Sequence, residues 1–294
     1  MDTIEPRNTE QVQAQGSKPR VSLEPPYPTL KQGILLLVLL LLFQLVLSAA
    51  LSGVSMLLGA SQETAMLVSI VIANPIAFGL VLLIGALKAR QPLRVLFPMT
   101  SFCWTALLPS VAILVGIQIV GSEIYNLVRS LAPMPQFLRE PLEAIVSGGL
   151  LGSLALLLVA PVTEELFFRG LVLNGFIKNY SVRKAVVASA LLFALMHLNP
   201  YQFLPTFVLG LLLAWLFVRT RSLVPCLILH CFNNGVHKIV KILGIEIPGY
   251  SMPQEGLAAP QLQPWWFTLV GVALLVAGFY GLAKVLGRRD RDTA

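Results

Sequence analysis

The stretch "GILLLVLLLLFQLVLSAALSGVSML", residues 33–57, runs for 25 residues without a charged side chain. A helix needs about 20 mostly apolar residues to cross the hydrocarbon core of a bilayer, so this segment alone is long enough to span one. It does not read as a signal peptide. It is too long, it follows a 32-residue polar stretch, and no small-residue cleavage site follows it. Seven further segments qualify or nearly do: 64–87, 102–122, 147–179, 183–198, 201–218, 223–242 and 265–286. The expected fold is therefore an all-α polytopic membrane protein of about eight transmembrane helices, the fifth one short. Composition agrees. Of 294 residues, 56% are hydrophobic and 12% charged, against about a quarter charged in soluble domains, and the mean hydropathy is +0.79.

The helical domain is expected to occupy 33–286. The flanking stretches 1–32 and 287–294 are rich in Pro, Gln or charge and read as disordered cytoplasmic tails. Between spans, 125–146 contains Pro133, Pro135 and Pro141 and reads as a loop or interfacial stretch. Basic residues set the expected orientation. They lie at Arg7, Lys18, Arg20 and Lys31 before the first span, and at Lys88, Arg90 and Arg94 after the second. They recur at Arg169, Lys178, Arg183 and Lys184, at Arg219 and Arg221, and at Lys284, Arg288, Arg289 and Arg291. The alternate loops hold only Arg129, Arg139, Lys238 and Lys241. This bias places both termini in the cytoplasm, and in a bacterial host the membrane would be the plasma membrane. The net charge of +7 is spread over short loops, which argues for topology and against a nucleic-acid-binding patch. Cys103, Cys226 and Cys231 are too few and too apolar in context for a disulfide framework.

Ionisable groups inside a membrane are costly and mark function by default. Aspartate occurs only at Asp2, Asp290 and Asp292, all in the tails. Within the expected spans, glutamate occurs only as the adjacent pair Glu164 and Glu165 in "APVTEELFFRG" (160–170), and the histidines are His197, His230 and His237. An aspartyl intramembrane protease is excluded, because paired membrane aspartates are missing. Gly-x-Ser-Gly and both zincin patterns are also absent. If a hairpin turns near 180–181, Glu164 and His197 each lie 16 or 17 residues from it. At the α-helical rise both then sit about 24 Å along their helices, level with one another. Glu165 and Arg169, Phe193 and His197, and His230 and Asn234 are all four apart, so each pair shares a helix face. His230 should lie shallower, about 13 Å from the turn at 219–222. Convergence then requires helix tilt or an "HLNPY" turn (197–201) drawn into the protein.

The ordered patterns "EELFFRG" (164–170), "FALMH" (193–197) and "HCFNN" (230–234) resemble the three motifs of the CAAX protease and bacteriocin-processing (Abi) family of intramembrane endopeptidases. That family includes the type II CAAX prenyl endopeptidases. The resemblance covers about 147–242, the catalytic core it implies. By motif, it implies that Glu164 and His197 activate a water, while His230 and Asn234 stabilise the oxyanion. Glu165 and Arg169 would orient and neutralise, and Phe193 would pack beside the site. Whether a divalent metal such as zinc takes part is left open, and its ligands would be Glu164, His197 and His230. The substrate implied is a membrane-associated peptide or protein, prenylated CAAX-type or bacteriocin-like, met in a cavity reached from the cytoplasmic side. Oligomeric state is not legible.

Structural roles compete with these. The Glu165–Arg169 pair could simply tie helices together. His237 fits an interhelical hydrogen bond, and Cys226 and Cys231 fit small apolar fillers. The same polar set could also serve a transporter, or a family member acting as a scaffold or immunity protein without turnover.

Overall fold

The computed structural model describes residues 25–102, 104–251 and 261–292. The tail residues 1–24, Cys103 and the last two residues of the basic C-terminal tail lie outside them. Among the described residues the chain is helical, without strands. The elements are α1 (Leu30–Leu57), α2 (Gln62–Ala89), a short α3 (Leu93–Leu96), α4 (Leu107–Leu131) and α5 (Gln136–Ser147). They continue with α6 (Gly149–Asn179), α7 (Val182–Met196), α8 (Pro200–Thr220), α9 (Val224–Ile242) and α10 (Trp265–Asp292).

All eight expected helices are present, and among the described residues six helices are long and apolar enough to cross a membrane: α1, α2, α4 with its leading turn, α6, α8 and α10. The other two fall short for physical reasons. Helix α7 has 15 residues, about 22 Å of helix against a core about 30 Å thick. Helix α9 interrupts its apolar run with His230, Asn233, Asn234, His237 and Lys238. Each buries one face against its neighbours, at Ala190, Phe193 and Ala194 of α7 and at Cys226, Leu229 and His230 of α9.

Two boundaries differ from expectation. Helix α1 starts at Leu30, inside the stretch read as a tail. The backbone N–H of Thr29 donates to Gln32 Oε1 at 2.8 Å, closing the first turn, and the N–H of Leu30 donates to the Tyr180 hydroxyl. The proline-rich stretch contains α5, a twelve-residue helix with Pro135 as its N-cap and no buried residue. Pro135 precedes the first turn, where no backbone donor is needed, and that is why it does not prevent the helix.

Helix α6 is the axis of the molecule. From Phe167 to Phe176 every residue is buried, packed by Phe78 of α2, Phe193 of α7 and Phe217 of α8. Its Asn179 end is closed by other segments. Pro28 lies where a Cβ on Gly175 would come within 2.1 Å of its Cδ, so only glycine admits that contact. Asn174 Nδ2 donates to the Val95 carbonyl. Lipid-facing positions such as Leu45, Leu83 and Leu87 are exposed, as expected where the solvent is hydrocarbon. Gln44 and Asn74, the polar residues midway along α1 and α2, pair with each other at 3.3 Å.

Candidate active site

Helix α6 is not regular. Ala155–Val159 and Leu166–Leu173 form wider π-helical turns on either side of the short α-helical stretch Ala160–Glu165. Such turns are rare and concentrate at functional sites. They free carbonyls from the i→i+4 ladder, and two of these accept side chains here. The Leu156 carbonyl accepts from Asn234 Nδ2 at 2.9 Å, and the Phe168 carbonyl accepts from Ser189 Oγ. The glutamates lie between the two distortions.

Glu165, Arg169 and His230 form one buried unit, with exposures of 0%, 1% and 3%. Glu165 Oε1 accepts from Arg169 Nη1 at 2.9 Å and from His230 Nδ1 at 2.7 Å. Arg169 also donates to the Gly210 carbonyl of α8 and lies 4.6 Å from the centre of the Phe193 ring. Phe193 is the hub, meeting Phe168, His197 and His230 edge to face at 5.2, 5.3 and 5.8 Å. These geometries suit the quadrupole of the ring.

Glu164 faces the same imidazole from the other side. Its Oε2 is 3.8 Å from His230 Nε2, is buried, and has no hydrogen-bond partner. A buried carboxylate oxygen without a partner calls for a specific occupant. At 3.8 Å the two atoms are within ion-pair range, and a water bonded to both would have to sit beside the pair.

His197 follows the last residue of α7. Its Nδ1 is 3.0 Å from the Phe193 carbonyl. A carbonyl can only accept, so in the neutral ring Nδ1 carries the hydrogen and Nε2 keeps a free lone pair. Leu198 then turns the chain with φ +49, an uncommon conformation for a branched residue and one that concentrates at functional sites. Asn199 is buried and accepts from the N–H of Tyr201 at the start of α8. The "HLNPY" turn is thus drawn partly inside, as convergence required.

The turn before α9 is itself partly covered. Ser222 and Leu223 are buried. The Leu223 N–H donates to the Pro98 carbonyl, and Ser222 Oγ donates to that of Thr100.

The structure brings Glu164, Glu165, Arg169, Phe193 and His230 together and sets His197 against the same Phe193 ring. It pairs His230 with both glutamates, whereas His197 and Glu164 form no hydrogen bond or ion pair with each other. Asn234 is held at the end of α6 that begins at Gly149. One of its amide hydrogens is used on Leu156, and a second remains. His237 stands apart, against Tyr250. Cys226 donates to the Leu213 carbonyl and makes no contact with the glutamates, as a small filler would. Sequence counting missed Gln118 of α4, whose Nε2 donates to Asn233 Oδ1 at 2.7 Å. A lone amide inside "VAILVGIQIV" (111–120) was the available signal.

Toward Asn179, α6 is flanked by Pro28 and Val95. For zinc, the donors would be Glu164 Oε2 and the Nε2 atoms of His197 and His230. Yet among the described residues no group of three or more His, Cys, Asp or Glu is arranged to hold a metal ion. The residues present do not fit such a centre, and no step below runs through one.

Residues 146–236 match the family model described as "Type II CAAX prenyl endopeptidase Rce1-like". No curated protein and no solved structure matches the chain. The matched residues contain the whole Glu164, Glu165, Arg169, His197, His230 and Asn234 set, and the match supports assigning this multi-pass membrane protein to the CAAX protease family, whose members are in general proteases.

Proposed function

We propose that the protein is an intramembrane endopeptidase in which Glu164 activates a water against a peptide bond of a membrane-associated substrate. The observation that carries this is the buried, unpartnered Oε2 of Glu164 facing His230 Nε2 at 3.8 Å. A water beside this pair loses a proton to Glu164 as its oxygen bonds to the scissile carbonyl carbon. The free Nε2 of His197 is the second acceptor available to that water. His230 and the second amide hydrogen of Asn234 donate to the oxyanion, a role worth about 10²–10³-fold for a single donor. As the C–N bond breaks, the proton on Glu164 passes to the departing amine. Glu165 and Arg169 touch no reacting atom. They fix the ring of His230 and balance charge.

The family match favours a C-terminal, prenylated CAAX-type segment over a bacteriocin-like one. The basic loops favour cytoplasmic termini, with substrate entering sideways from the bilayer. The test is the purified full chain in liposomes, given an internally quenched farnesylated peptide ending in Cys-aliphatic-aliphatic-X, alongside the same peptide without the farnesyl group. One endoproteolytic cut, faster on the farnesylated peptide and undiminished after dialysis against a zinc chelator, is the expected outcome. Loss of cleavage on chelation, regained with zinc, would overturn the metal-independent mechanism. An intact peptide throughout would favour a scaffold or a transporter.

A further inference from the structure

A chain of three amides runs into the site from α4, outside the matched residues. Gln118 Nε2 donates to both the side-chain and the backbone carbonyl oxygens of Asn233, at 2.7 and 3.0 Å. Asn233 Nδ2 donates to Asn234 Oδ1 at 3.1 Å, and Asn234 Nδ2 donates to the Leu156 carbonyl at 2.9 Å. Both ends of the chain are backbone carbonyls, which can only accept, and this forces the orientation of every amide between them. Asn234 must turn its nitrogen to Leu156, so its oxygen must accept from Asn233. The oxygen of Asn233 is then left to accept from Gln118. Asn233 is thus held from both sides, by the Asn234 oxygen to which it donates and by the Gln118 nitrogen from which it accepts.

We propose that Gln118 is a positioning residue that sets the amide orientation of Asn234 through Asn233, and so aims the donor that meets the oxyanion. This rests on the endopeptidase mechanism above. While ionised, a carboxylate at 118 keeps the shape but can only accept, whereas methionine removes the donor whatever the charge state. Beside that carboxylate, Asn233 would turn its nitrogen to residue 118 and its oxygen to Asn234. That would drive the oxygen of Asn234 against Leu156 and reverse its two ends.

The test uses full-length Gln118→Glu, Asn234→Ala and the double variant in liposomes with the farnesylated reporter peptide. Gln118→Glu should lower kcat by about tenfold or more, a sizeable part of what losing an oxyanion donor costs, with KM within about twofold. In the Asn234→Ala background the same change should alter kcat by less than about twofold, because the residue it acts through is gone. Gln118→Met, which is close in shape and suited to the membrane, removes the donor outright and should show the same loss and the same dependence on Asn234. An unchanged kcat in Gln118→Met, or an equal loss in both backgrounds, overturns the proposal while leaving the protease intact. Wild type no faster than Glu164→Gln would overturn the mechanism itself and this positioning role with it.

Discussion

Glu164→Gln should reduce cleavage of the farnesylated reporter by about 10²–10⁴-fold, the range that a positioned general base contributes, while the protein melts no lower than wild type. The two halves of this expectation have one cause. Oε2 of Glu164 is buried without a hydrogen bond, and an uncharged amide in its place costs the resting fold less than a carboxylate does. Stability retained or raised as activity collapses is the signature of a group kept for chemistry. Glu165, one residue on, should behave differently, because its carboxylate binds both Arg169 and His230. A Glu164→Gln protein that cleaves within about threefold of wild type would remove it as the base.

Arg169→Met should be the most destabilising single change, by about 3–5 kcal/mol, because it leaves the Glu165 carboxylate buried beside no cation. It also removes the bond to the Gly210 carbonyl and the contact with the Phe193 ring. The pair itself contributes less than its rupture costs, since desolvation offsets most of the attraction between buried charges. Adding Glu165→Gln to Arg169→Met should therefore restore much of the lost stability without restoring cleavage, because His230 has lost the carboxylate that orients it. Unfolding in detergent measures the first effect, and the reporter peptide measures the second. Arg169→Met as stable as wild type would show that Glu165 takes up a proton at no cost, and the ion pair would then hold nothing together.

Much of this was legible in the sequence because a bilayer penalises charge so strongly. A chain that keeps Glu164, Glu165 and Arg169 inside "LLLVAPVTEELFFRGLVL" (156–173) declares where its chemistry lies. The four-residue spacings were informative because they depend only on local helix geometry, and the Glu165–Arg169 and Phe193–His197 contacts follow from them. Depth counting fared less well, since it assumed one uniform rise from surface turns. Helix α6 contains two π-helical stretches, and the turn before α9 is partly covered by residues 98–100. Neither feature has a local sequence signature. The stretch 133–141, read as a loop or interfacial segment, is helical from Gln136, with Pro135 ahead of the first turn and Pro141 tolerated inside a helix that buries no residue. Gln118 carries no charge and so leaves little trace in a hydrophobic run, yet in hydrocarbon a neutral amide also has to find its partners, here Asn233.

The central claim is that a reactive water sits beside the Glu164 and His230 pair. An experimental density map of the wild-type protein in lipid, with anomalous scattering collected at the zinc edge, tests this most directly. The account predicts a solvent peak within about 3.2 Å of both Glu164 Oε2 and His230 Nε2, with no anomalous signal. A Glu164 side chain turned toward acyl chains, or an anomalous peak at that position, would contradict it.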